Sequence, residues 1–83
     1  MNTKIIKKLE EQEEVLFTYK NHYIYIQERV DGGFEGDIYE SEKAFDNGED
    51  ALDGGICDCQ TATEALQFFQ DMVHELKSWK TKN

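Results

Sequence analysis

Hydrophobic positions along this chain switch from a helical spacing to a two-residue alternation and back again. Ile5, Ile6 and Leu9 form a thin apolar stripe, which predicts a helix capped at Asn2 or Thr3 and running to about Glu13. Val15, Phe17 and Tyr19 then alternate with Leu16, Thr18 and Lys20, the pattern of a strand over Val15–Lys20. Asn21-His22 reads as a tight turn. Tyr23–Val30 is rich in aromatic and β-branched residues and forms a second strand, with Ile24, Ile26 and Val30 on one face and Tyr23, Tyr25 and Gln27 on the other. Asp31-Gly32-Gly33 is a hairpin turn. A third strand, Phe34–Ser41, sets Phe34 and Ile38 against Glu35, Asp37 and Tyr39. Asp46–Gly55 reads as a loop, and Ile56–Asp58 as a short strand or an extended entry to the next helix. That helix begins at Thr61, whose Thr61-x-x-Glu64 spacing is a capping box. Ala62, Ala65, Leu66, Phe69, Met72, Val73 and Leu76 make a wide apolar stripe along it, and Lys77, Lys80 and Lys82 suit its C-terminal dipole.

These elements predict one α+β domain over residues 1–83, ordered α-β-β-β-α: a three-stranded antiparallel sheet with helices packed on one face. The N-terminal helix covers 2–13, the sheet and an acidic loop 15–58, and the C-terminal helix 61–79. The last helix should cross the face carrying Ile24, Ile26, Phe34 and Ile38. The other face is then left to solvent, showing Tyr23, Tyr25 and Tyr39 beside Glu35 and Asp37. The first helix carries Lys4, Lys7 and Lys8 at its positive end and Glu10, Glu11, Glu13 and Glu14 at its negative end, so it depends on tertiary packing.

Charge changes this picture most. Between Glu28 and Asp58 lie eleven carboxylates, Glu28, Asp31, Glu35, Asp37, Glu40, Glu42, Asp46, Glu49, Asp50, Asp53 and Asp58, opposed only by Arg29 and Lys43. That balance of −9 equals the net charge of the whole chain. Direct binding to nucleic acid or to an anionic membrane is disfavoured, since both need Lys or Arg to neutralise phosphate. A basic protein surface is the expected partner. No apolar run reaches the length of a membrane span and no signal-peptide core opens the chain, so the expected location is the cytoplasm.

Candidate chemistry is sparse. Cys57-x-Cys59 offers two thiols on one side of an extended segment, but a closed zinc site needs four ligands and His22 and His74 are isolated. Two reduced cysteines near the sheet edge are the expectation. An EF-hand register starting at Glu49 places Gly54 correctly, but puts Ala51 and Gln60 where oxygen ligands are required. There is no nucleophile with a base and no phosphate-binding glycine loop, so neither an enzyme nor a cofactor is expected.

Two resemblances add to this picture. Tyr23–Leu66 resembles the HicB-like antitoxin domain in its aromatic hairpin, its Asp31-Gly32-Gly33 turn, its Gly54-Gly55 pair, and a helix opening with Thr61 and Glu64-Ala65-Leu66. That resemblance implies a β-β-β-α core and an antitoxin or immunity protein that neutralises a small toxin and dimerises through a sheet edge. The chain departs from the family in lacking a proline-bearing segment before the helix and an appended DNA-binding region. In size, acidity and element order it is also similar to small anti-CRISPR and anti-restriction proteins of phages, an analogy without a residue motif.

The leading expectation is a non-enzymatic inhibitor that imitates nucleic acid and blocks the basic groove of a nucleic-acid-handling protein. Glu35, Asp37, Glu40, Glu42, Asp46, Glu49, Asp50 and Asp53 supply charge, and Tyr23, Tyr25 and Tyr39 supply anchoring area. The bland alternatives are carboxylates that serve solubility and tyrosines that merely fill a wet strand face.

Overall fold

The computed structural model describes the backbone of residues 2–82 and the side chains of residues 2–76. Its order is α1 (Asn2–Gln12), β1 (Glu14–Tyr19), β2 (His22–Glu28), β3 (Phe34–Tyr39), α2 (Glu42–Asp46), β4 (Asp53–Cys57) and α3 (Ala62–Lys82). The strands form one antiparallel meander in the order β1-β2-β3-β4. The α+β class and the two long helices agree with the sequence pattern. The sheet has four strands where three are expected, and α2 is an additional helix.

Alternation builds the core. Val15 and Phe17 of β1, Ile24 and Ile26 of β2, and Phe34 and Ile38 of β3 all point to one face of the sheet. There they meet Leu9 of α1 and Ala62, Ala65, Leu66, Phe69 and Val73 of α3 in one buried cluster. The Phe69 ring lies over Gly36, where an added Cβ would come within 3.0 Å of two ring carbons and 2.7 Å of the Tyr25 carbonyl oxygen. Glycine in mid-strand therefore makes the hollow that the ring fills. Two polar contacts tie the helices down: His74 on α3 and the Tyr19 hydroxyl lie 2.8 Å apart, and the buried Gln70 amide donates to Asn2 Oδ1 at 3.3 Å.

Both long helices are bounded as local chemistry dictates. Glu13 stops α1 in the left-handed region at φ 65°, its N–H donating to the Leu9 carbonyl. At the start of α3, Thr61 Oγ1 accepts from the Glu64 N–H at 3.2 Å, while Glu64 Oε1 accepts from Gln60 and Thr61, as the capping box requires. Lys77, Lys80 and Lys82, expected to complement the C-terminal dipole, lie outside the described side chains.

Several boundaries are corrected. The first turn is Lys20-Asn21, not Asn21-His22: both residues have positive φ, which matches the twist of a two-residue hairpin. Strand β2 ends at Glu28, and Val30 is fully exposed in the turn instead of sharing the face of Ile24. Gly32 and Gly33 do supply positive φ there. Strand β3 stops at Tyr39 because Ser41 caps α2, its Oγ accepting from the Ala44 N–H at 3.0 Å. The expected loop over 46–55 ends in β4, whose two glycines carry no side-chain pattern to reveal a strand. Cys57 and Cys59 are joined as a disulfide, with Cα atoms 5.1 Å apart, in place of two reduced thiols. An extended strand would hold residues two apart at about 6.6 Å, so the chain bends just after β4 ends at Cys57 and brings the two side chains together.

Candidate functional site

The face of the sheet opposite α1 and α3 collects most of the expected site. Cross-strand pairing sets Tyr23 beside Thr18 and Tyr39, Tyr25 beside Leu16 and Asp37, and Gln27 beside Glu14 and Glu35. At the far strand, Asp37 pairs with Gly54 and Glu35 with Ile56. Three tyrosines and two carboxylates named from alternation thus form one surface.

This face is not wholly open, because α2 folds onto it. Helices therefore occupy both sides of the sheet, unequally. Phe45 packs against Tyr23 at a ring-centroid distance of 5.4 Å and against Tyr39 at 5.0 Å, nearly edge-on to the latter. Such pairs add to ordinary burial. The contact carries Glu42 and Asp46 to the tyrosines, close enough for both to disfavour ionisation of Tyr23.

All three phenols are held in their neutral, proton-donating form. Burial is the first cause at each. For Tyr23 the charges of Glu42 and Asp46 add to it, and for Tyr39 that of Asp37. Tyr25 is pushed furthest, to about 12, by burial, then its hydrogen bond to Glu14, then the charges of Glu14, Glu35 and Asp37. Its hydroxyl sits 3.0 Å from Glu14 Oε1 and in short contact with the side-chain oxygen of Gln27. One proton serves two acceptors, so Tyr25 is anchored at a carboxylate cluster.

The remaining carboxylates divide. Glu40, Glu49 and Asp50 lie on the connections flanking α2, with Glu49 and Asp50 exposed. Asp53 does not share the tyrosine face: it pairs with Ile38 and so follows the parity of the helix side, beside Leu52, Glu75 and Leu76, with Oδ1 accepting from the Gly54 N–H at 2.8 Å. Among the described residues the ion pairs are both made by Arg29, to Asp31 at 3.4 Å and to Glu35 at 3.8 Å. Such solvent-washed pairs neutralise little of the field.

Glu14, Gln27 and Phe45 belong to this surface as well, and the sequence did not place Glu14 or Phe45 there. Nor did it place Leu16 and Ile56, which remain 38% and 57% exposed. Glu14 and Leu16 share the alternation of Thr18, which was a usable signal. Phe45 gave none, since its placement depends on the Ser41 cap and a return of the chain across the sheet.

Among the described residues, no group of three or more His, Cys, Asp or Glu side chains is placed to hold a metal ion. No described helix is long and apolar enough to cross a membrane. Comparisons with protein-family models, curated proteins and solved structures find no match.

Proposed function

We propose that this protein is a non-enzymatic acidic inhibitor that binds the basic surface of a nucleic-acid-handling protein and excludes the nucleic acid. The reading rests on one observation: each of three half-buried tyrosines on a single sheet face has carboxylates close enough to help hold its phenol neutral. Aromatic area and fixed negative charge therefore occupy the same surface. Tyrosine is a common source of binding energy at interfaces, and guanidinium groups both stack on aromatic rings and pair with carboxylates. Glu35 and Asp37, two positions apart on a strand, stand about 7 Å from each other along it. Glu42 and Asp46 extend the field over α2, and Glu40, Glu49 and Asp50 border it. A solubility role alone would not require carboxylates to gather around aromatic rings.

The test is capture of a partner from host lysate at low salt, followed by elution with rising salt and by added nucleic acid. A basic nucleic-acid-binding protein that releases steeply with salt, and that nucleic acid displaces, is the expected result. The variant carrying Glu35→Lys, Asp37→Lys and Glu42→Lys should capture nothing while keeping its circular dichroism. Undiminished capture by that variant would reject the electrostatic mechanism.

A further inference from the structure

The two edges of the sheet are unlike. Strand β1 is packed by α1 and is bounded by the charged residues Glu14 and Lys20. Strand β4 reads Asp-Gly-Gly-Ile-Cys, with no lysine, no proline and an exposed Ile56. Edge strands are normally blunted by charge, proline or a covering element, because their outer backbone groups otherwise lack partners. Among the described residues, only Asp53, at its start, serves that purpose in β4.

What flanks this edge differs on its two sides. On the helix side, Phe68, Met72 and Leu76 recur every fourth residue along α3 and so share one ridge. Met72 Cε lies 3.8 Å from where a Gly55 side chain would begin, and the exposed Leu52 stands beside Leu76. On the outer side, the Asp37 carboxylate fills the space a Gly54 side chain would take. Glycine at 54 thus leaves a carboxylate within reach of anything laid along β4, and glycine at 55 leaves a methionine within reach.

We propose that the β4 edge takes up an extended segment of a partner protein, added as a fifth strand, in which basic and apolar side chains alternate. Strand addition uses main-chain hydrogen bonds for affinity and alternate side chains for specificity. The basic side chains fall on the outer face, toward Asp37 and Glu35. The apolar ones fall on Phe68, Met72 and Leu76. A second copy of this chain is the wrong occupant by charge: it adds another −9 and sets Glu49, Asp50, Asp53 and Asp58 of the two copies along one seam. The basic half of this preference rests on the carboxylate field of the proposed function. The open edge does not.

Two synthetic peptides test it, one with lysine and valine strictly alternating, the other with the same residues in two blocks. The alternating peptide should bind at least about tenfold more tightly and slow amide hydrogen exchange along Gly54–Cys57. Ile56→Lys, at an exposed outer-face position, should abolish the difference. Equal binding with unchanged exchange in β4 overturns the inference, as does failure of both peptides to bind. A free protein already dimeric, with β4 protected, assigns the edge to a second copy and overturns it too. Undiminished partner capture by the charge-reversed variant, with the peptide preference of the wild type intact, rejects the electrostatic reading alone.

Discussion

The two faces of this sheet are made from the same four strands yet obey different physics. Toward α1 and α3, Ile24, Ile26 and Ile38 lose all contact with solvent and pack in one cluster with Leu9 and Phe69. One residue along, Tyr23, Tyr25 and Tyr39 remain half-buried among carboxylates. The helix face stabilises the fold by removing apolar area from water. The outer face gathers like charges and holds phenols neutral, an arrangement that contributes little to folding and is suited to contact. On the proposed function, stability and recognition are separated by a single step of strand alternation, so the outer face is open to change without loss of the fold.

The largest effect expected from breaking that separation comes from the helix face. Phe69→Ala removes a fully buried ring and should cost about 3–5 kcal/mol, read as a lower urea midpoint, with the outer face disordered as a consequence. Gly36→Ala is next. Its new methyl must displace the Phe69 ring or the Tyr25 carbonyl, so about 1–3 kcal/mol should be lost, although alanine usually suits a strand no worse than glycine.

Tyr25→Phe deletes only the hydroxyl shared by Glu14 and Gln27, and should cost about 1 kcal/mol. It also has a pH signature. A phenol pKa raised by folding means that the folded state favours the protonated form. Its contribution is whole below the ordinary value of 10 and is lost as pH climbs through about 12. Wild type should therefore lose stability over that window more steeply than Tyr25→Phe, in denaturant titrations run at each pH. The smallest effect on folding belongs to Glu35→Lys with Asp37→Lys. Stability should stay within about 0.5 kcal/mol, while partner binding disappears. A large destabilisation there would show that the two faces are not independent.

Legibility in the sequence followed the side chains. Where residues alternate in polarity, as in β1, β2 and β3, strand identity and face were readable, and alternation alone grouped Tyr23, Tyr25, Tyr39, Glu35 and Asp37. The wide stripe of α3 and its Thr61 cap were readable for the same reason. Strand β4 is readable only at its end, where Ile56–Asp58 reads as a short strand or an extended entry to the next helix, because Gly54 and Gly55 have no polarity to alternate. Helix α2 is five residues long, too short to display a helical period, and only Ser41 marked its start. Val30 was misplaced by extending a parity past the end of its strand. The face of Glu14 follows from the alternation it shares with Leu16 and Thr18, but its partner Gln27 is set by pairing register, a non-local property that no single stretch of sequence carries.

The ring of Phe69 over Gly36 acts as a key in a keyway. A strand that slips by two residues still keeps its polar and apolar sides, so alternation alone leaves β3 free to settle in several alignments. Only one alignment puts a residue without a side chain beneath Phe69. A slip of two in either direction would drive Phe34 or Ile38 into the ring. Glu35 and Asp37 flank Gly36 directly, so their position along the sheet is dictated from the opposite side by one aromatic group on a helix. The charged surface is, in effect, indexed by the core.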